Sequence, residues 1–404
     1  MKKILVIPSD PYGCGKFRCF DPHVVLQSLY NEDFDVDVMF PRPNVARWDI
    51  AFKPYDMIFF HKELDKECNI IKIAKYMGKK IVVDIDDHFD LGNDHPMSIT
   101  AKLENWKQPI INHLMLADAV TTTTPIFAKT LKKYNKNVYV LPNAINPKEE
   151  QFIHQPIESK RLRLGIVCGS THLEDIKMLQ GMISMFSKEE LDNLQFVLCG
   201  FDTRGTIRSI DPKTNQVTSR NIEPHESVWA RYEEILTDNY SLCSQEYKDF
   251  LLKYEVNKDY ENIENEIYRR CWTKDIASYG THYNNIDVLL VPLKDNEFNK
   301  MKSQLKVIES GFHKIPIIAS NFGPYTIDLV NAYSKGTIDL KGNSLLVEPT
   351  KGFKQWAKMI KIFLKNRDLV KTLGENLYET VKDKYSLETV TKQRALVYQK
   401  ILES

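Results

Sequence analysis

The chain has 404 residues, a net charge of +1, 43% hydrophobic residues and 27% charged residues. This length and composition predict a packed protein of two domains or one large one and exclude a disordered chain. The near-neutral charge argues against a dedicated duplex-binding surface, which usually brings a basic excess, although it allows a local basic patch.

The cysteines and the apolar runs indicate in which cellular compartment the protein is expected. The seven cysteines are scattered, their number is odd and none forms a CxxC pair, so reduced thiols in a cytoplasmic protein are expected. The apolar run at the N-terminus is too short for a signal peptide, because Pro8 and Asp10 interrupt it. No run approaches about 18 apolar residues, so no membrane span is expected.

Two stretches have the pattern that opens a doubly wound sheet. In the first, a β-branched strand (Ile4–Ile7) leads into a loop with Gly13 and Gly15 and then a helix. In the second, a strand (Leu162–Val167) leads to a glycine, a polar loop and an amphipathic helix. Apolar strands alternate with helices after each opening, which is typical of parallel sheets. The predicted strands are "FDVDVMF", "YDMIFFH", "KKIVVDID", "ADAVTTTT" and "NVYVLPN" in the first half, and "LQFVLCG", "IDVLLVPL", "IPIIAS" and "NSLLVEP" in the second.

The boundary between the two domains is predicted in Leu141–Arg161, which is rich in proline and charge and lacks periodicity. The first domain then covers residues 1–150 and the second residues 151–385. Phe201–Gly280 is polar and aromatic, breaks the alternation, and is interpreted as an insertion in the second domain. The tail is helical, with Ser386 expected to cap a last helix over residues 386–404.

Ligands of open α/β sheets bind beyond the carboxyl ends of the strands, and two glycine-bearing loops lie there. Gly169, Ser170, Thr171 and His172 sit between a strand and a helix, where backbone groups can approach an anion. The loop "YGCGKFR", with Gly13, Gly15 and Arg18, has a similar shape but lacks the dinucleotide GxGxxG spacing. For both loops a plain turn is the alternative.

Acidic residues cluster at the end of another strand. In "VVDIDDHFDL", Asp84 and Asp86 share one strand face and Asp87 starts the turn. Clustered carboxylates repel one another unless they bind a metal, cations or donor groups, and turn capping is the alternative. His61 ends a further strand, where an ordinary loop role is the more common one.

The stretch "FNKMKSQLKVIESGFHKIPIIAS" places Lys302, Ser303 and Lys306 in the first turns of a predicted helix, with Glu309 on the face of the two lysines. Lysines are unfavourable near a helix start unless they hold an anion such as a diphosphate. Glu309 is suited to accept hydrogen bonds from the vicinal hydroxyls of a ribose. The alternative is an intrahelical Lys–Glu pair on a solvated face.

These motifs together resemble the GT-B glycosyltransferases, and most of all glycosyltransferase family four with its bacterial and phage relatives. The Lys-Ser-x-Leu-Lys run before Glu309 resembles the helix that holds the donor ribose in that family. "ADAVTTTTPIFAKTLKKYNKNVYVLPNAIN", "GIVCGSTHLEDI" and "VVDIDDHFD" resemble further family segments in the same order. The chain departs from the family at Met301, where many members carry the first of two glutamates.

The resemblance implies a GT-B fold of two Rossmann-like domains facing a cleft, with the terminal helix crossing back to the first. It implies transfer of a sugar from a nucleotide diphosphate donor, UDP- or GDP-linked, to an acceptor glycan, with retention and no required metal or other cofactor. Lys302, Lys306 and Asp86 are then catalytic candidates. The donor side comprises Gly169, Ser170, Thr171, His172, Ser303 and Glu309, and the acceptor side comprises Gly13, Gly15, Arg18, His61, Asp84 and Asp87.

Two alternatives remain open at the level of the sequence. One is a phage-type enzyme that glycosylates modified DNA bases, with Trp229, Tyr232, Tyr240, Arg204 and Arg208 of the predicted insertion stacking on bases or closing as a lid. The other is a non-catalytic nucleotide-sugar-binding or assembly protein that has kept the fold. Loss of the paired glutamates suits the second alternative.

Overall fold

Two parallel six-stranded sheets organise the chain in the computed structural model. The structure describes residues 1–41, 45, 47–63, 65–202, 204–210, 214, 216–237, 245, 249 and 267–404. The predicted mixed α/β architecture is confirmed, because each half of the chain builds one of the two sheets.

The first sheet has the strand order β2-β1-β3-β4-β5-β6. Its strands are β1 (Lys2–Ile7), β2 (Phe34–Val38), β3 (Met57–His61), β4 (Lys80–Ile85), β5 (Ala119–Thr122) and β6 (Val138–Val140). Its helices are α1 (Gly13–Gly15), a π-helical turn (Lys16–Phe20), α2 (Asp21–Leu29), α3 (Trp48–Phe52), α4 (Asn69–Tyr76), α5 (Ser98–Leu103), α6 (Lys107–Leu116) and α7 (Pro125–Leu131). The central strands are apolar almost throughout because helices cover both faces of the sheet.

The second sheet has the strand order β11-β8-β7-β12-β13-β16. Its strands are β7 (Leu162–Val167), β8 (Leu194–Phe201), β11 (Tyr268–Trp272), β12 (Val288–Val291), β13 (Ile317–Ser320) and β16 (Ser344–Val347), and two hairpins add β9 (Thr206–Ile210), β10 (Val217–Asn221), β14 (Tyr333–Ser334) and β15 (Thr337–Ile338). Its helices are α8 (Leu173–Ile176), α9 (Lys188–Asp192), α10 (Val228–Thr237), α11 (Glu297–Lys300), α12 (Leu305–Phe312), α13 (Phe353–Lys365) and α14 (Asp368–Val381), and the chain ends with α15 (Leu387–Glu403).

The predicted insertion is in part a component of the second domain. Strand β11 pairs with β8 at the edge of the sheet, and α10 buries Trp229 and Tyr232 in the same core. Strand β11 is thus part of the sheet and α10 is part of its core, which the interpretation of Phe201–Gly280 as an insertion did not anticipate. Only the hairpin of β9 and β10 stands apart from the sheet within the described part of this segment. Residues 250–266 lie outside the described residues.

Three helix boundaries differ from the sequence-based expectation. Gly13 and Gly15 lie in the first helical turn and not in a loop. The amphipathic helix expected after Gly169 is a four-residue helix, α8, followed by short 3-10 turns. Helix α12 begins at Leu305, so Lys302 and Ser303 precede it and only Lys306 lies in its first turn.

The chain crosses between the domains twice, and the two crossings lie side by side. The backbone N–H of Ile145 donates to the carbonyl of Tyr385 at 3.0 Å, and that of Leu387 donates to the carbonyl of Ile145 at 2.8 Å. Ser386 caps α15 by accepting from the Thr389 N–H, as predicted. Along α15, Tyr398 packs in the core of the first domain. In the described part of the chain, no helix has the length and apolar character needed to cross a membrane.

The helix start at residues 13–15 depends on a close approach of backbone to backbone. A Cβ on Gly15 would lie 1.9 Å from the carbonyl oxygen of Asp10, whereas a Cβ on Gly13 would meet nothing nearer than 4.0 Å. We expect Gly15→Ala to lower the free energy of unfolding by about 1–3 kcal/mol through overpacking. Gly13→Ala, the matched control, should change it by less than about 1 kcal/mol. Urea denaturation measures both, and an equal effect of the two substitutions would contradict the prediction.

Candidate functional site

A cleft of about 450 Å³ opens at the carboxyl ends of β7, β8 and β11. The first domain contributes Gly13 and Phe17, and the second domain contributes the rest of the lining. The lining residues are Gly13, Phe17, Val167, Cys168, Gly169, Ser170, Cys199, Gly200, Asp202, Arg204, Trp229, Thr273, Lys274, Ile276, Tyr279, His282, Leu305, Lys306 and Glu309. This is the edge where open α/β sheets bind ligands.

Glu309 lies at the base of the cleft with protein partners on both carboxylate oxygens. Tyr279 donates its hydroxyl to Oε1, Tyr283 donates to Oε2 at 2.7 Å, and Lys306 Nζ lies 2.9 Å from Oε2. Burial, and then the negative charge of Glu309, raise the pKa of both tyrosines. The Lys–Glu pair considered from the sequence is thus present, but on a buried carboxylate and not on a solvated face.

Lys302 differs from Lys306 in having no carboxylate at ion-pair distance among the residues that the structure describes. Its Nζ lies 5.2 Å from the centre of the Phe298 ring. The pKa of His172 is lowered by burial and next by the positive charge of Lys302, which places this lysine near the loop after β7. A lysine without a carboxylate partner is available to an anion.

The loop after β7 is fixed by a tyrosine of the predicted insertion. Tyr232 donates its hydroxyl to the Gly169 carbonyl at 3.1 Å and accepts from the His172 N–H at 3.0 Å. Gly169 and Ser170 face the cleft, and Thr171 is exposed away from its lining. His172 Nδ1 lies 2.8 Å from Asp175.

The predicted acidic cluster at the end of β4 is neutralised by cations of the protein itself. Arg18, in the π-helical turn, donates to both Asp84 oxygens at 2.9 and 2.6 Å, and Thr121 donates to the same carboxylate at 2.5 Å. Burial would raise the pKa of Asp84, but the Arg18 guanidinium holds it below its usual value. Both side chains are fully buried, so they support the carboxyl end of β4 from within the domain, and their assignment to an acceptor side stays a prediction.

Asp86 and Asp87 share a second cation. Lys62 Nζ lies 2.5 Å from Asp86 and 3.5 Å from Asp87, and His61 Nε2 lies 3.4 Å from Asp86. Ser9 is hydrogen-bonded to His61 Nδ1 at 2.8 Å. Burial would raise the pKa of Asp86, but Lys62 holds it well below its usual range. His61 is therefore part of this charged group, and Lys62 is a member that the sequence analysis overlooked although it is the next residue.

Two contacts tie the acidic cluster to the lysine-bearing segment of the other domain. Asn143 accepts from Arg18 at 3.2 Å and donates to the Ser303 hydroxyl at 3.2 Å. Met301 is buried in a core of the first domain, where Thr130 contacts its sulfur at 3.5 Å. Met301 therefore anchors this segment across the domain boundary.

The structure brings together some predicted site residues and separates others. The cleft holds Gly13, Gly169, Ser170, Lys306 and Glu309, whereas Gly15, Thr171, Lys302 and Ser303 are outside its lining. Sequence reasoning missed Tyr279, Tyr283 and Asn143. The spacing of the two tyrosines by four residues in "YGTHY" was the available signal for the first two.

The aromatic and basic residues proposed for base stacking are mostly occupied elsewhere. Trp229 and Tyr232 pack in the core, and Arg204 pairs with Asp202 at 2.8 Å. Tyr240 and the side chain of Arg208 lie outside the described residues. Trp229 and Arg204 still line the cleft, whereas Tyr232 does not, and nucleic acid as the acceptor stays a prediction.

Comparison with known proteins shows the fold. No protein-family model matches the chain, and no curated protein matches its sequence. Among solved structures, sucrose-phosphate synthase from Thermosynechococcus elongatus is similar, with a TM-score of 0.61 at 14% identity over 100% of both chains. HepE from Anabaena, in complex with UDP and glucose, has a TM-score of 0.61 at 12% identity over 99% of this chain and 100% of that chain. A glycosyltransferase from Rickettsia africae has a TM-score of 0.60 at 12% identity over 100% of this chain and 99% of that chain.

The predicted fold class is confirmed by these similarities and by the two parallel sheets. The chain has the GT-B fold, that of the glycosyltransferases it resembles in structure. Membership of glycosyltransferase family four stays a prediction.

The buried Arg18–Asp84 pair provides a test of the acceptor-side framework. Asp84→Asn leaves a buried guanidinium without its counter-charge, so we expect the free energy of unfolding to fall by about 3–5 kcal/mol. Asp90→Asn, which removes only the exposed pair with Lys107, should cost less than about 1 kcal/mol. Urea denaturation of the three proteins measures the difference. Similar losses for the two variants would show that burial of the pair is not what matters.

Proposed function

We propose that the protein is a glycosyltransferase that moves a sugar from a nucleotide diphosphate sugar to an acceptor glycan. The observation that carries the proposal is the cleft between the GT-B domains, where Lys306 and Glu309 of one helix lie beside the loop after β7. Its volume of about 450 Å³ is in the range of small-molecule sites. HepE, a protein of the same fold, has been solved with UDP and glucose, which supports a UDP-linked donor.

The proposed donor site divides the nucleotide between three groups of residues. The exposed backbone of Gly169 and Ser170 approaches the phosphates, and Lys302 and Lys306 supply positive charge. Glu309 binds a ribose hydroxyl. Its two oxygens have about four lone-pair positions, and the three protein donors leave one for the ribose.

The chemical contribution of the lysines is electrostatic. When the sugar leaves, negative charge grows on the diphosphate, and fixed cations stabilise that charge more in the transition state than in the ground state. We propose that the lysines serve in place of a divalent cation, so that the reaction requires none. Retention of configuration is also proposed, and it rests on the family resemblance.

On the acceptor side, Asp86 is the candidate to bind and orient the acceptor hydroxyl. The positive charge of Lys62 keeps Asp86 ionised near neutral pH, so it is suited to accept a hydrogen bond from an acceptor hydroxyl. His61 and Asp87 complete the charged group around it. Arg18 and Asp84 position β4 and the helix of Gly13 and Gly15 beneath this group.

Two other functions compete with this proposal. A DNA-base acceptor is less favoured, because Trp229 and Tyr232 are core residues and the net charge is near zero. A non-catalytic binding protein remains the second candidate, favoured by Met301 at the position of the first family glutamate.

The decisive experiment is turnover with a panel of UDP- and GDP-linked sugars, monitored as release of nucleoside diphosphate with and without glycan acceptors. We expect release from one donor.

Lys302→Ala and Lys306→Ala should each weaken binding of the nucleoside diphosphate of that donor by about 1–3 kcal/mol, or about 5- to 150-fold, because each removes a charge-assisted contact. The matched control is Lys300→Ala, an exposed lysine of the same segment whose partner is Glu297. If calorimetry shows nucleotide binding but no donor of the panel is turned over, the non-catalytic binding protein is favoured. If both lysine variants bind the nucleoside diphosphate with wild-type affinity, the proposed diphosphate site is excluded.

The ribose contact has its own test. Glu309→Gln should impair binding of the ribonucleotide more than binding of its 2′,3′-dideoxy analogue, because the lost carboxylate acceptor matters only when the hydroxyls are present. Tyr283→Phe is the control, since it removes one protein partner of Glu309 and keeps the carboxylate. Calorimetry with the two nucleotides gives the discrimination of each protein. An equal loss for both nucleotides would assign Glu309 to its contacts with Tyr279, Tyr283 and Lys306.

A further inference from the structure

Two cysteines and a histidine meet beneath the wall of the cleft. Cys199 on β8 and Cys271 on β11 are direct partners across parallel neighbouring strands, so their side chains lie on the same face of the sheet. His282 lies in the 3-10 turn Tyr279–Asn285, which packs on that face. One sulfur or nitrogen ligand atom from each residue lies within 4.8 Å of the other two, and all three residues are buried.

The histidine is the anomalous member of this group. Only 2% of its surface is exposed, and within the described residues neither of its ring nitrogens has a hydrogen-bond partner. A buried polar group without a partner is less stable than one that has a partner. Cys199 and Cys271 belong to an apolar core that also contains Val197, Tyr283 and Ile286. Such a histidine is stabilised if another species provides the missing partner.

The spacing and chemistry of the three atoms match a zinc ion. Zinc binds thiolate sulfur at about 2.3 Å and imidazole nitrogen at about 2.0–2.1 Å, so tetrahedral ligands lie about 3.5–3.8 Å apart. From separations of at most 4.8 Å, each pair of ligand atoms needs to approach by no more than about 1.0–1.3 Å to reach this geometry. Two thiolates neutralise a divalent ion, so the bound site places no net charge in the core. Oxygen-preferring cations such as Mg²⁺ are poorly suited to two sulfurs and one nitrogen.

We propose that Cys199, Cys271 and His282 form a zinc site in the floor of the interdomain cleft. Cys199 and His282 also line the cleft, so the fourth position of a tetrahedral ion faces its interior and takes a water molecule or a ligand atom that enters there. The site is independent of the proposed glycosyl transfer, because the lysines that serve the diphosphate belong to another segment of the wall. It joins the edge strand β11 to β8 and to the turn that carries Tyr279 and Tyr283.

The test uses the full chain, purified under reducing conditions and stripped with a chelator. Titration with Zn²⁺ is expected to saturate at about one ion per chain, and the saturated protein should unfold at a higher temperature than the stripped one. Titration with Co²⁺ is expected to give intense visible bands and a sulfur-to-metal charge-transfer band in the near ultraviolet, the signature of tetrahedral thiolate ligation.

Variants assign the ligands. Cys199→Ser, Cys271→Ser and His282→Asn should each abolish stoichiometric binding or lose the cobalt spectrum, whereas Cys168→Ser, which alters a thiol of the same cleft outside the cluster, should keep both. Should a variant not fold, the wild-type cobalt titration still decides. The proposal would be overturned if the wild-type protein showed no cobalt–sulfur band, or if the band were unchanged in all three ligand variants. It would also be overturned if mass spectrometry showed that Cys199 and Cys271 stay joined by a disulfide after purification under reducing conditions and removal of metal. Because each measurement is of metal binding, failure here leaves the nucleotide-binding tests untouched.

Discussion

The ion pair between Arg18 and Asp84 is the interaction on which the carboxyl edge of the first sheet depends. Both groups are fully buried, and the cost of removing two charges from water is large unless every donor and acceptor is used. Here Asp84 receives Arg18 and Thr121, and the remaining donors of Arg18 reach the Leu141 carbonyl and Asn143. Arg18 thereby links the π-helical turn to β4 and to the segment that leads out of the first domain, and Asp84 links β4 to β5.

From this pair a chain of polar contacts extends to the second domain. Asn143 contacts Arg18 on one side and donates to the Ser303 hydroxyl on the other. Gln304, the residue after Ser303, donates to the Tyr385 hydroxyl at the second domain crossing. Tyr385 in turn donates to Asp328 at 2.6 Å. The lysine-bearing segment is therefore held by groups on both sides of the domain boundary, so its position relative to the first domain is set by hydrogen bonds and not only by apolar packing.

The sheets were predictable from the sequence because parallel strands that are buried on both faces consist of consecutive apolar residues. Strand β11 was not, since "YRRCW" has two arginines where an apolar run is expected. Arg270 is nonetheless buried, because Glu233 of α10 accepts two hydrogen bonds from it at 2.6 Å and the Phe201 ring lies 3.8 Å from its guanidinium carbon. A buried ion pair formed between distant segments leaves no local pattern. The site shows the same limit: strand ends predicted Asp86 and Gly169, but the Tyr279 and Tyr283 hydroxyls on Glu309 arise only from tertiary packing.

The paired crossings at Ile145 and Tyr385–Leu387 have a mechanical consequence. Two connections bonded to each other define a single line about which one domain can rotate against the other, whereas a lone linker allows rotation about many axes. Helix α15, fastened to the first domain through Tyr398, also makes the last residues of the chain part of the body that moves with residues 1–140. Shortening the chain at its C-terminal end therefore removes packing from the N-terminal domain and leaves the domain that precedes it in sequence largely untouched.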